Sequence, residues 1–166
     1  MNNKAQYYIE KLSLIAHPEG GYFREIYRSD EIIKAEHLPD RYSKQRNFST
    51  SIYFLLEGEQ VSKFHKLKSD EIWHFYDGSP IQIFIISPDG KIQNEILGKD
   101  LNKNEFPQLV IEKENWFGAK VLDKDSFTLI GCTVSPGFDF KDFELADREE
   151  LIIKFPVHEK IISELT

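Results

Sequence analysis

The sequence predicts an all-β jelly roll or barrel with a short N-terminal helix and a helical C-terminal tail. Three observations carry this reading. From residue 49 to residue 137, short apolar runs alternate with turn signals at intervals of roughly 8–12 residues, the rhythm of a sandwich or barrel. No stretch between these runs has the helical period that a parallel α/β sheet needs for its crossovers. Aromatic residues make up 13% of the 166-residue chain, 13 of them Phe, and such side chains favour a pleated, half-buried surface.

Taken in order, Ala5, Tyr8, Ile9 and Leu12 recur at helical spacing, so residues 3–15 form an amphipathic helix that ends before His17-Pro18. Glu19-Gly20-Gly21 then reads as a turn, because paired glycines reach backbone angles closed to other residues. Tyr22–Arg28 (YFREIYR) alternates in size and charge as a strand with two differently solvated faces. Residues 29–47 are polar, contain Pro39 and Asp40, and read as an excursion loop. Strands follow at 49–56, 60–67, 71–76, 81–86, 91–97, 109–111, 116–122 and 127–134, separated by breaks such as Asp77-Gly78-Ser79-Pro80 and Ser135-Pro136-Gly137. From Asp147 helical character returns, with Leu151, Ile152, Ile161, Ile162 and Leu165 as the apolar stripe that packs outside the barrel. The reading is one domain over 1–166, with a barrel core at 22–145 and a tail at 147–166.

A chain of 19.5 kDa with 40% hydrophobic residues supports a real core, burying about 70% of the surface its unfolded form exposes. One cysteine, Cys132, excludes an internal disulfide framework and predicts a reducing, cytoplasmic setting. A formal charge of -7 and a pI near 5.3 argue against nucleic acid as a partner. The N-terminal residues lack the apolar run of a secretory signal, and the longest apolar stretches are far short of a membrane span. No phosphate-binding loop, dinucleotide fingerprint or His-Glu-x-x-His motif is present.

Chemistry concentrates in GEQVSKFHKLKSDEIWHFYDG, residues 58–78. A period of two places Val61, Lys63, His65 and Leu67 on one face, and Glu71, Trp73 and Phe75 on one face of the next strand. A tight turn between the strands then lets His65 and Glu71 line one pocket beside Lys63 and Trp73. His74 points the other way unless a bulge re-aims it.

The spacing Gly58, His65, Leu67, Glu71, Gly78 resembles the first motif of the cupin superfamily. The blocks HPEGGYFRE (17–25), STSIYFLL (49–56), FHKLKSDEIWHFYDG (64–78) and LIGCTVSPGFDFKDFELA (129–146) resemble an uncharacterised branch, the fifth cupin family. The resemblance implies a double-stranded β-helix, usually a homodimer, with a ligand in the barrel mouth. It also exposes departures from the metal-binding pattern. Leu67 stands where the second histidine of the first motif belongs, and EKENWF (112–117) leaves Phe117 at the histidine of the second motif.

Three readings follow. In the first, the barrel binds a small polar metabolite, sugar- or nucleotide-like, and isomerises or epimerises it without a metal. His65 is then the base, Glu71 orients it, and Tyr53 is the acid by likeness to cupin sugar-nucleotide epimerases. In the second, the same pocket only holds a ligand. In the third, no cofactor being otherwise required, a divalent metal sits on His65 and Glu71 with His74 completing the set. Trp73 and Trp116 are candidate ligand walls, and Arg24 a candidate anion contact. His17 reads as part of a structural turn, and Cys132, with no cation beside it, as unreactive.

Overall fold

Alternating apolar residues close two six-stranded sheets on one another. The computed structural model describes residues 3–166. In chain order the elements are α1 (Asn3–Lys11), β1 (Ile15–Ala16), β2 (Tyr22–Arg28), β3 (Ile32–Ile33), β4 (Arg46–Asn47), β5 (Thr50–Glu57), β6 (Val61–Leu67) and β7 (Asp70–Gly78). They continue with β8 (Ile81–Ile86), β9 (Ile92–Leu97), β10 (Glu105–Phe106), β11 (Gln108–Ile111), β12 (Trp116–Val121), β13 (Phe127–Ser135), β14 (Phe143–Leu145), α2 (Arg148–Lys154) and α3 (Glu159–Glu164). The first sheet runs β1-β2-β5-β13-β7-β11 and the second β10-β9-β8-β12-β6-β14. Long crossings between the sheets make β13 sit between β5 and β7, and β12 between β8 and β6, the interleaving of a jelly roll.

The helix stops at Lys11, short of the expected residue 15, because Ser13 adopts a positive φ and Ile15 pairs with Phe23. The stretch 29–47 is less irregular than its composition suggests. Ile32 and Ile33 pair with Asn47 and Arg46 as a small ribbon, and Arg46 points inward.

Three apolar layers result. Between the sheets lie Phe54, Trp73, Ile83, Phe117, Ile130 and neighbours, filling one end of the barrel. Outside the first sheet, α1 covers Leu55, Phe127 and Leu129. Outside the second, α2 and α3 cover Phe64, Phe84 and Trp116 with Leu151, Phe155, Ile162 and Leu165. The tail therefore packs outside the barrel, as its amphipathic spacing requires.

Two bulges decide which side chains face inward. In β6 the partners Phe117↔His65 and Ala119↔Ser62 set two residues, Lys63 and Phe64, against the single residue Gly118 of β12, so the alternation inverts around Lys63. His65, Leu67 and Ser62 face inward, while Val61 and Phe64 join the outer layer under the helices. In β2 the partners Glu25↔Ile52 and Tyr27↔Ser51 leave Ile26 as the extra residue, which returns Arg28 to the face of Phe23 and Glu25.

The open end of the barrel is walled by residues 138–143, which carry Phe138, Phe140 and Phe143. A buried ion pair anchors this strap: Arg46 grips Asp142 with two parallel hydrogen bonds and also donates to the carbonyls of Lys44 and Gln45. Both side chains are nearly inaccessible, so removing one partner strands a buried charge. Asp142→Asn should cost about 3 kcal/mol in chemical denaturation, whereas Arg46→Met combined with Asp142→Leu should recover most of it.

Candidate functional site

A cavity of about 330 Å³ opens between the sheets at the strap end. Its polar groups include His65 on β6, Glu71 on β7, Cys132 on β13, and His17 and Glu19 from the segment before β2, with Glu25, Arg28, Thr50 and Asp139 also in the lining. Apolar walls are supplied by Phe23, Ile52, Phe54, Leu67, Val134 and the three phenylalanines of the strap.

Glu19 reaches the interior because its turn can press against the barrel. A Cβ on Gly20 would lie 2.2 Å from the Val61 carbonyl oxygen, and one on Gly21 would lie 2.6 Å from that of Leu55. Both glycines also hold positive φ. The turn is tied down where β6 bulges, since Lys63 N–H donates to the Glu19 carbonyl and Ser62 Oγ donates to Glu19 Oε1 at 2.9 Å.

Glu19 Oε2 then stands 3.2 Å from His65 Nε2 and 3.6 Å from His17 Nδ1. His65 Nδ1 lies 2.7 Å from the Lys63 carbonyl, which only accepts, so that nitrogen carries a hydrogen and neutral His65 presents Nε2 as an acceptor. The Glu19–His65 contact is satisfied only when one proton lies between the two groups.

Burial sets the charge state. Desolvation raises the carboxyls of Glu19 and Glu71 to about 7, against the opposing influence of His17 and Ser62 on the first and His65 on the second. Desolvation also lowers both imidazoles, outweighing Glu71 at His65 and Glu19 at His17. Glu71 pushes the Cys132 thiol, already raised by burial, higher still. The Trp73 N–H faces the Glu71 carboxyl but makes no well-formed hydrogen bond.

Several expected residues lie elsewhere. His65 and Glu71 both line the cavity, but Glu19, not Glu71, contacts the imidazole. Tyr53 is on the outer face of β5, against Tyr76 and the layer under α1. Lys63 occupies the β6 bulge and contributes backbone only. His74 faces outward beside Thr133, since the irregularity of β7 falls later, between Phe75 and Asp77. Trp73 fills the core behind Glu71, and Trp116 lies under the C-terminal helices with Lys66 Nζ 4.8 Å from its ring. Arg24 is exposed and binds the Leu12 carbonyl at the end of α1, while Arg28, turned inward by the β2 bulge, stands at the mouth. The sequence reading gave His17 and Glu19 to a structural turn; the signal for their place in the cavity was an imidazole and an acid directly before a glycine pair.

The donors do not fit a metal centre. His74 cannot join His65 and Glu71, and among the described residues no three His, Cys, Asp or Glu side chains are placed to hold an ion. Leu67 faces the same interior as His65, and the Phe117 ring centroid lies 4.0 Å from that of His65, so hydrocarbon occupies the imidazole's flank.

A jelly roll with its polar groups gathered in the mouth of the barrel defines the cupin class. Residues 6–146 match the Cupin_5 family, described as Cupin superfamily (DUF985), and the chain belongs to that family. An uncharacterised protein of Saccharomyces cerevisiae, YML079W, is 32% identical over 154 residues, covering 87% of this chain and 76% of the yeast protein. The crystal structure of protein SO0799 from Shewanella oneidensis is 39% identical, with a TM-score of 0.88 over 100% of this chain and 98% of that one. Oxalate decarboxylase of Bacillus subtilis, a protein with Mn(II) centres, is 16% identical with a TM-score of 0.55, over 93% of this chain and 38% of that one, and shares the fold alone.

The buried carboxyl of Glu71 makes stability depend on pH in a defined direction. Between its ordinary value of 4.5 and about 7 the folded protein retains a proton that the unfolded chain releases, so this group's contribution falls as pH rises and is level above 7. Glu71→Gln should therefore match wild type near pH 4.5 and be more stable above pH 7, by ~2 kcal/mol, when thermal unfolding is followed across that range.

Proposed function

We propose that this cupin binds a small polar metabolite in the barrel cavity and moves a proton on it, an isomerase- or epimerase-type reaction with no metal ligand set. The observation that carries the reading is one mostly apolar cavity whose lining includes the His65 imidazole and the carboxyls of Glu19 and Glu71, both of which burial raises to about 7. Groups that titrate near neutral pH exchange protons at the least cost.

The Glu19–His65 pair takes a proton from a substrate carbon next to a carbonyl. The C–H electron pair moves into an enol or enolate. Glu71, protonated in part at neutral pH, returns a proton to the opposite face or to the neighbouring carbon, and a second transfer within the cavity resets the pair. Atoms and electrons balance without a co-reactant. Tyr53, outside the cavity, has no part.

Incubation in D₂O with a panel of aldoses, ketoses and their phosphates tests this. Deuterium should enter one carbon position of a panel member, and His65→Ala or Glu71→Gln should slow that exchange by about 100-fold or more. A second reading, a binding module without turnover, is favoured by one observation: both ring nitrogens of His65 already have partners, at 2.7 and 3.2 Å. Retention of a ligand by wild type with no deuterium entry from any panel member would select it.

The remaining partner is a second copy of this chain. β2 pairs with β5 on one side but leaves its residues beyond Phe23 unpaired on the other, and Ile26 and Tyr27 are 47% and 54% exposed. A homodimer that covers this edge should sediment as a dimer, and Ile26→Glu with Tyr27→Glu should convert it to a monomer. Neither nucleic acid nor a membrane is proposed as a partner: the net charge is -7, and among the described residues no helix is long and apolar enough to span a bilayer. The free thiol of Cys132 suits a cytoplasmic setting.

A further inference from the structure

The charges around the cavity are unbalanced. Four carboxyl groups line it, those of Glu19, Glu25, Glu71 and Asp139, against one guanidinium, that of Arg28. That guanidinium is already used. Its Nε and Nη2 donate to the two oxygens of Glu25 at 2.9 and 2.7 Å, and its Nη1 donates to Asn47 Oδ1 at 2.8 Å and to the Phe138 carbonyl at 3.1 Å. The two imidazoles are held neutral by burial, so the cavity offers no free positive charge to an anion.

Glu71 is the group left without a counter-charge. It is 8% exposed, lines the cavity beside the Trp73 N–H and the Cys132 thiol, and lies near enough to the neutral His65 imidazole and the Glu19 carboxyl to feel both. The same cavity is also rich in aromatic walls: Phe23, Phe54, Phe138, Phe140 and Phe143 all line it. A cavity that combines unpaired acidic groups with aromatic walls is one in which an ammonium group gains both Coulombic and cation–π attraction, the second worth about 2 kcal/mol where water is excluded. Inorganic divalent ions need several oxygen ligands, which the rings do not supply.

We propose that the ligand of this cavity is a compact organic cation, its ammonium group seated against Glu71 and its hydrocarbon against the phenylalanines of the strap. This rests on the cavity being a small-molecule site and narrows the class of metabolite it takes; an ammonium on Glu71 holds that carboxyl ionised, so with such a ligand the Glu19–His65 pair both takes the proton and returns it. It argues against the anionic sugar nucleotides suggested by likeness to cupin epimerases. A volume of about 330 Å³ lies at the small end of ligand sites. An acidic chain, formally -7, also draws cations towards the mouth.

The test uses three probes of nearly one shape and different charge: choline, its neutral carbon isostere 3,3-dimethylbutan-1-ol, and the anion 3,3-dimethylbutanoate. Binding is followed by titration calorimetry and by the NMR signals of the cavity histidines. Choline should bind at least tenfold more tightly than the alcohol, the anion should bind most weakly, and Glu71→Gln should erase the preference for choline while leaving the affinity for the alcohol unchanged. Equal or tighter binding of the alcohol or the anion overturns the charge assignment and leaves the small-molecule site standing. If none of the three moves the histidine signals, both the charge assignment and the binding site fall. Choline binding that survives Glu71→Gln at full strength overturns the seat proposed for the ammonium group.

Discussion

The carboxyl of Glu19 stands between two imidazoles inside a barrel, and it arrives there on a turn. A strand residue would have a hydrogen-bonded ladder to hold it in place, but this carboxyl depends on the fit of Gly20 and Gly21 against the carbonyls of Val61 and Leu55. Any side chain at either position would push the turn outward and withdraw Glu19 from His65. The β6 bulge is the complementary feature: by disrupting the β6–β12 ladder it frees the Lys63 N–H for the Glu19 carbonyl and turns Ser62 towards its side chain. Glycine pair, bulge and carboxyl form one unit, and the orientation of His65 follows from it.

Burial makes the proton count of this unit the governing variable. Two ionised carboxylates close together in a site without a free cation would repel each other and forfeit hydration, so both are pushed towards the neutral form. The imidazoles face the same penalty in the opposite sense and stay uncharged. The neutral cluster still has hydrogen-bond demands, because His65 Nε2 requires a proton from Glu19 once Nδ1 has donated to Lys63. A ligand that brings charge changes this count, and so does one that accepts or donates a proton. The recognition and the proton transfer proposed for this cavity therefore draw on the same desolvated cluster.

The architecture was legible because strand periodicity and turn chemistry are local. The expected runs at 81–86 and 127–134 differ from β8 and β13 by at most one residue at an end. His65 and Glu71 were also legible, as residues that alternation and the cupin spacing both point inward. Two of the errors share one cause. Alternation counts from a fixed phase, and a bulge shifts that phase without leaving a mark in composition. Lys63 was placed beside His65 because the count ran through the irregularity between them, and Arg28 was not singled out because the extra residue Ile26, which sends Arg24 and Arg28 to opposite faces, is not marked in the sequence. The two tryptophans failed for a different reason. Large flat side chains suit a ligand wall and a core equally, and the apolar layers on both sides of the second sheet had room for them. Glu19 was invisible because its contact with His65 spans 46 positions and depends on how a turn docks, which no short-range pattern encodes.

The position of Phe117 gives the site its character relative to metal-holding cupins. Where the resemblance expects a histidine, a phenylalanine ring packs 4.0 Å from the His65 ring, and Leu67 replaces the other expected imidazole on the strand of His65. Each replacement takes away a metal ligand and adds apolar surface, which deepens the desolvation of the polar groups that stay. A His65 and Glu71 left behind in a filled core would be a liability, since unpartnered buried polar groups cost free energy. Here an open cavity remains beside them, and a carboxyl from outside the strands comes in to share a proton with His65. Hydrocarbon in the positions that the metal-binding motif gives to ligands thus leaves a desolvated cluster of acids and imidazoles, with apolar packing raising its carboxyls to about 7.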